Sequence, residues 1–155
     1  MSADSKWPDL AGRLGDDNGL RLHRLPVRVY FEDTDFSGLV YHASYVRWCE
    51  RGRSDFLRLL GNDHKALMDA REPAAFVVRR LNLEYLKPAR IDEVLEVVTR
   101  VKELGAATLV LDQRVTRDGV DLCQAEVTVV LLSSAGKVLR LSRALRDAVT
   151  VAAPS

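Results

Sequence analysis

A single stretch of helical periodicity is followed by four β-branched-rich runs whose links are too short to hold a crossover helix, and this order constrains the fold more than any other feature. The runs are Phe76 to Leu86, Val94 to Leu104, Ala107 to Thr116 and Val120 to Leu132. Lys87-Pro88-Ala89-Arg90, Gly105, Asp118-Gly119 and Ser133 to Gly136 punctuate them. Hairpin-length links make neighbouring strands antiparallel, because parallel neighbours need a crossover of a dozen residues or more. Val138 to Leu141 adds a short strand and Ala144 to Val149 a small terminal helix.

The helical stretch places Tyr45, Trp48, Cys49, Gly52, Phe56, Leu59 and Leu60 on one face at spacings of three and four, a face that must pack on a sheet. Arg47, Glu50, Arg51, Asp55 and Arg58 occupy the other face, close enough for i,i+3 and i,i+4 pairing. Ser44 is the expected N-cap and Gly61 the expected stop. Gly52 lies within the apolar face, where a missing side chain lets the helix backbone approach the sheet. Ahead of the helix, Pro26 to Phe31 alternates as a half-buried strand with Val27, Val29 and Phe31 inward. A short helix is expected from His64 to Ala70. The fold class is therefore α+β: a long helix against an antiparallel sheet of five to six strands. Several strands carry apolar residues on both faces, so the sheet is expected to bury more surface against another subunit.

With 155 residues, the chain suits one domain. Residues 1–24 lack sustained periodicity and are read as a flexible arm, 25–150 as the folded domain and 151–155 as a tail. Charge is balanced at 23 Lys plus Arg against 22 Asp plus Glu, which gives no reason to expect nucleic acid as a partner. No apolar run approaches the length of a membrane span, and the polar N-terminus has no leader pattern, so a cytoplasmic chain is expected. Cys49 and Cys123 fall inside apolar patterns and read as buried free thiols. Too few His and Cys accompany them for a metal centre, and no cofactor is expected.

Chemistry concentrates between the first strand and the long helix. Asp33 and Asp35 precede the small-residue turn Phe36-Ser37-Gly38, and His42 stands at the helix start. Gly38 can take a positive φ and let backbone amides come close to a ligand. Asp35 then lies beside a helix N-terminus, whose unpaired N–H groups and dipole attract a developing anion. On the residues alone, Asp35 fits a turn cap, Asp33 a structural carboxylate, and His42 an ordinary hydrogen-bonded helix-start residue. An EF-hand begins like Asp33 to Gly38, but Ser44 replaces the bidentate Glu at its twelfth position. An aspartyl phosphotransferase needs alternating strand and helix units, which the strand-rich tail does not supply.

The segment Y-F-E-D-T-D-F-S-G-L-V-Y-H-A-S-Y-V-R-W-C-E-R-G-R resembles the signature of the hotdog-fold acyl-CoA thioesterases. It is similar in particular to the YbgC-type, Tol–Pal-associated branch related to 4-hydroxybenzoyl-CoA thioesterase. The matches are Asp33, Thr34, Asp35, Gly38, Val40, Tyr41, His42, Ala43, Tyr45, Glu50 and Arg53, then Tyr85, Pro88, Ala89 and Asp92. Phe31, Ser37 and Ser142 depart from the usual Tyr, Gly and Pro. The resemblance implies a helix wrapped by the sheet, dimers joined edge to edge, tetramers built from them, and hydrolysis of acyl-CoA at the dimer interface. It implies catalytic roles for Asp35 and His42, with Gly38, Val40, Tyr41 and Tyr45 against the substrate and the amides around Val40 to His42 on the oxyanion. Glu50 is the competing carboxylate, otherwise paired with Arg53 or Arg47. Arg79, Arg80, Lys87 and Arg90 are the candidates for coenzyme A phosphates. The alternative is a module that binds acyl chains or acyl carrier protein, or acts as a scaffold, with little catalysis.

Overall fold

The computed structural model describes residues 9–62, 67 and 72–150. Seven antiparallel strands form one sheet, in the order β1-β2-β4-β5-β6-β3 with β7 beside β6. The strands are β1 (Arg13–Asp17), β2 (Leu20–Arg28), β3 (Ala74–Tyr85), β4 (Val94–Leu104), β5 (Thr108–Arg117), β6 (Val120–Ser133) and β7 (Val138–Leu139). One long helix, α1 (His42–Leu59), packs across one face of the sheet, and α2 (Arg143–Val149) follows β7. All described pairings are antiparallel, which sets aside the phosphotransferase architecture.

The helix buries Tyr45, Trp48, Cys49, Gly52, Phe56 and Leu57 against Leu95, Val97, Leu111, Val115 and Val127. Gly52 provides the close approach expected of it: a Cβ there would lie 2.9 Å from Val97 Cγ1 and 3.3 Å from Thr99 Oγ1. Buried Gln113 donates from Nε2 to Cys49 O and Thr99 Oγ1, at 2.8 and 2.9 Å, tying helix to sheet through satisfied polar groups. Gly61, at φ +85, ends the helix. Its amide donates to Arg58 O and that of Asn62 to Leu57 O, the paired bonds of a Schellman motif. Burial raises the thiols of Cys49 to about 11 and Cys123 to about 12, and both are free.

Three expectations change here. Residues 13–24, read as part of a loose arm, are strands: Asn18 (φ +53) and Gly19 (φ +83) form a tight turn between β1 and β2. The first strand consequently ends at Arg28, and Phe31, expected inward, is 80% exposed because the chain turns into a 3-10 turn over Phe31–Asp33. The outer face of the sheet is not apolar. Arg24–Glu96, Arg100–Asp17, Arg114–Asp121 and Lys102–Glu126 ion pairs cross it. The helix expected from His64 to Ala70 lies, except for Leu67, outside the described residues.

Candidate active site

The chain leaves β2, makes the 3-10 turn and returns through residues 34–40 as a small loop closed by backbone bonds. Asp35 N–H donates to Leu39 O at 2.8 Å and Gly38 N–H to Asp35 O at 3.2 Å. Gly38 takes φ +82, the left-handed conformation that favours glycine. The same loop is fastened to the β3–β4 connection, because Val40 N–H donates to Ala89 O at 2.9 Å.

Within this frame the two aspartates separate. Asp33 is 6% exposed and holds the loop: its Oδ2 accepts Tyr30 N–H at 2.9 Å, and its carbonyl accepts Tyr41 N–H at 2.8 Å and the Ser44 hydroxyl at 3.2 Å. Asp35 is exposed. Its Oδ1 accepts the backbone N–H of Ser37 at 2.8 Å and the Ser37 hydroxyl at 2.5 Å. Those two bonds, the hydroxyl first, hold the Asp35 carboxyl below the ordinary aspartate value, so it is ionised at neutral pH.

Helix α1 opens at His42 with Tyr41, not Ser44, at the N-cap. Ser44 lies one turn inside because its hydroxyl is already given to the Asp33 carbonyl. The amides of Val40 and Tyr41 are also committed, to Ala89 O and Asp33 O. Among the described residues this leaves the N–H groups of His42 and Ala43 without an acceptor, as the first turn of a helix requires. The oxyanion donors expected over Val40 to His42 are thereby confined to the helix end itself.

At this helix end lies a concavity of about 280 Å³ lined by Val40, His42, Tyr45, Tyr85, Leu86, Lys87 and Pro88. Tyr45 is its buried wall, with its hydroxyl accepting Ala89 N–H at 3.0 Å, and burial raises that phenol above its ordinary value. The Tyr85 hydroxyl donates to His42 O at 2.9 Å. Tyr85 stood out in the sequence only as a match to the family pattern with no role attached, since strand periodicity carries no sign of a bond to a helix start. The Tyr41 ring lies 4.3 Å from the His42 ring, tilted 50° to it. The structure thus brings Val40, His42 and Tyr45 to one hollow with Tyr41 beside it, while Asp35 and Gly38 sit on the adjoining loop outside its lining. Of the cationic candidates, Lys87 lines the hollow, and Arg79, Arg80 and Arg90 do not.

Glu50 makes no direct ion pair with Arg47 or Arg53 among the described residues, although its charge acts on Arg53 and opposes the lowering of that guanidinium by burial. Arg47 donates instead to Ser44 Oγ at 3.0 Å, and Arg53 turns inward to Gln113 Oε1 at 2.9 Å, where burial lowers the guanidinium. Glu50 lines a second hollow of about 370 Å³ farther along the helix.

A helix enclosed by an antiparallel sheet, with a free helix N-terminus following the loop that carries an ionised aspartate, defines a hotdog-fold protein. The thioesterase superfamily matches residues 37–124. The acyl-CoA thioester hydrolase YbgC of Escherichia coli O6:H1 is 47% identical over 110 residues, 70% of this chain and 81% of that one. The acyl-CoA thioesterase YbgC of Haemophilus influenzae is 42% identical over 113 residues, 73% and 80% of the two chains. A crystal structure of a probable thioesterase from Bartonella henselae superposes with a TM-score of 0.76 at 39% identity, covering 78% of this chain and 99% of that one. The chain belongs to the thioesterase superfamily, in its YbgC branch.

Proposed function

We propose that this chain hydrolyses acyl-CoA to the free acid and coenzyme A, with the thioester carbonyl at the N-terminus of α1 and Asp35 as nucleophile or general base. The observation that carries this reading is the pairing of an ionised, exposed Asp35 with the unoccupied His42 and Ala43 amides across one small loop. As general base, Asp35 takes a proton from water while the water oxygen bonds to the carbonyl carbon. As nucleophile, its carboxylate forms an anhydride that water then opens. In both courses the carbonyl oxygen gains charge against the His42 and Ala43 N–H groups and the positive end of the helix dipole. The C–S bond then breaks and the thiolate takes up a proton. His42, held between Tyr41 and Tyr85, orients the thioester, with Gly38, Val40, Tyr41 and Tyr45 around it.

The free edge of β3 supports a dimer. Among the described residues this strand pairs only with β6, and it exposes Val78, Leu81 and Tyr85. Edge-to-edge joining there would set the loop of one protomer near the helix of another and complete the hollow that Asp35 does not line alone. Association of such dimers into a homotetramer, a cytoplasmic location and work beside the Tol–Pal system belong to the same proposal. Free buried thiols accord with a reducing compartment. The carrier is coenzyme A, with acyl carrier protein as the second candidate.

Thiol release from a panel of short, long and aromatic acyl-CoAs tests this, run on the wild type and Asp35→Asn together. Turnover by the wild type and a loss of at least a hundredfold in kcat for Asp35→Asn is expected. Turnover retained in Asp35→Asn would remove Asp35 from the mechanism and promote Glu50; no release from any acyl-CoA would favour the binding module.

A further inference from the structure

Tyr85 makes a hydrogen bond that the backbone of α1 does not need. Its hydroxyl donates to the His42 carbonyl at 2.9 Å, yet the first carbonyl of a helix already accepts the N–H four residues on. The ring is half exposed, so water was available to the hydroxyl instead. Its aim is set by the sheet. Tyr85 ends β3 opposite Cys123 of β6, and the amides of Leu86 and Lys87 both donate to Leu122 O, at 2.8 and 3.1 Å. The ring stands edge-on to His42 at 6.4 Å and to Tyr45 at 5.5 Å. Tyr45 is fixed in turn by the Trp48 ring at 5.3 Å and by Ala89 N–H at 3.0 Å.

What the bond does follows from its acceptor. The His42 carbonyl and the Ala43 N–H are the two ends of one conjugated, planar peptide group. A donor at the oxygen draws electron density from the nitrogen and makes the N–H a stronger donor, the cooperative polarisation of hydrogen-bond chains. Ala43 N–H is one of the two open amides at the start of α1. The other, His42 N–H, belongs to the preceding peptide group, whose oxygen, Tyr41 O, accepts Ser44 N–H at 2.9 Å. Resting on the thioesterase reading above, we infer that Tyr85 is a positioning residue for the hydrolysis: through the His42 carbonyl it fixes the first turn of α1 and strengthens the Ala43 amide as a donor to the thioester carbonyl oxygen as that oxygen gains charge.

A carbonyl oxygen only accepts, so the phenol must keep its proton to make this bond. Burial raises the Tyr85 phenol above its ordinary value, which holds it protonated through neutral pH. That proton stays on the hydroxyl throughout, and neither the water proton nor the leaving thiolate passes through Tyr85. The size of the effect follows from the strength of the donor it acts on. Losing one oxyanion donor outright costs about 10²–10³ in kcat, and cooperative strengthening is about 10–30% of a bond, so losing the hydroxyl should cost roughly two- to eightfold. The oxyanion gains more from a strong donor than the ground-state carbonyl does, so the loss falls on kcat and not on KM.

The test compares the wild type, Tyr85→Phe and a protein with a tyrosine fluorinated beside the hydroxyl at position 85. Thiol release is measured below neutral pH on an acyl-CoA that the wild type turns over, and the amide proton resonances are recorded on isotopically labelled protein without substrate. Tyr85→Phe keeps the ring against His42 and Tyr45; it is expected to show the loss in kcat with KM nearly unmoved, and an upfield shift of the Ala43 N–H resonance larger than that of His42. The fluorinated protein, a stronger donor of the same shape, is expected to keep at least the wild-type kcat. An unchanged kcat in Tyr85→Phe would overturn the inference and leave the thioesterase reading standing. So would a fall in kcat with the Ala43 resonance unmoved, or a fall shared by the fluorinated protein, since either would make the effect one of packing. No release by the wild type would overturn the thioesterase reading and this inference together.

Discussion

Asp35 and Asp33 show how two identical side chains two residues apart acquire different work from their backbone alone. Asp33 is buried by a 3-10 turn and spends its oxygens on Tyr30, Tyr41 and Ser44; Asp35 is left in solvent with Ser37 as its partner. Because the Ser37 hydroxyl is the first cause of the lowered Asp35 carboxyl, Ser37→Ala should return it toward the ordinary value. The acid limb of the kcat/KM profile should then move to higher pH, and an unmoved limb would separate Ser37 from the acid–base chemistry. A second titration is remote from the site. His23 is fully buried on β2; its Nε2 lies 2.7 Å from Asp55 Oδ2, while Nδ1 has no partner. Burial lowers the His23 pKa below 6.5, so the unfolded chain binds the proton more readily, and stability is full above that value and declines as pH falls beneath it. Thermal melting should show this decline between pH 7 and 5 in the wild type, and a smaller one in His23→Gln. Asp33 as a structural carboxylate and Asp35 as a turn cap were readable from residue type, but not their directions, since an extended chain and a turn send alternate side chains in different directions.

At the scale of elements, α1 is both the core and the site, and its interior glycine fixes how near it lies to the sheet. Gly52→Ala would press a methyl group against Val97 and should cost about 1–3 kcal/mol, read as a lower midpoint in denaturant. A neutral result would mean that β4 yields freely. The strands after the helix were legible nearly to the residue because β-branched runs and Gly or Pro punctuation agree there: Val94 to Leu104 is β4 itself, and Asp118-Gly119 makes the tight turn its composition announces. The N-terminal hairpin was not, although Asn18-Gly19 is the same kind of signal. Its strands are short and rich in Arg, Asp and His, and their burial comes from packing across the helix, as between His23 and Phe56 at 5.7 Å. The N-cap of α1 was misplaced by three residues, at Ser44 instead of Tyr41, for a related reason. Ser44 has the chemistry of a cap, but a distant carbonyl already claims its hydroxyl.

As a whole molecule, the chain has one sheet face covered by a helix, the other crossed by ion pairs, and two edge strands among the described residues: the short, polar β1 and the long β3, which exposes Val78, Leu81 and Tyr85. The proposed self-association is therefore placed at β3. Sedimentation should give the mass of two or four chains for the wild type and a shift toward single chains for Val78→Glu, with thioester turnover falling alongside; a monomeric, fully active wild type would refute the shared site. The central claim, that the thioester carbonyl is received by the open N-terminus of α1, is tested most directly by a crystal structure of Asp35→Asn holding an intact short-chain acyl-CoA. The account predicts the carbonyl oxygen within hydrogen-bond distance of the His42 or Ala43 amide. A thioester held elsewhere, with both amides still facing solvent, would contradict it.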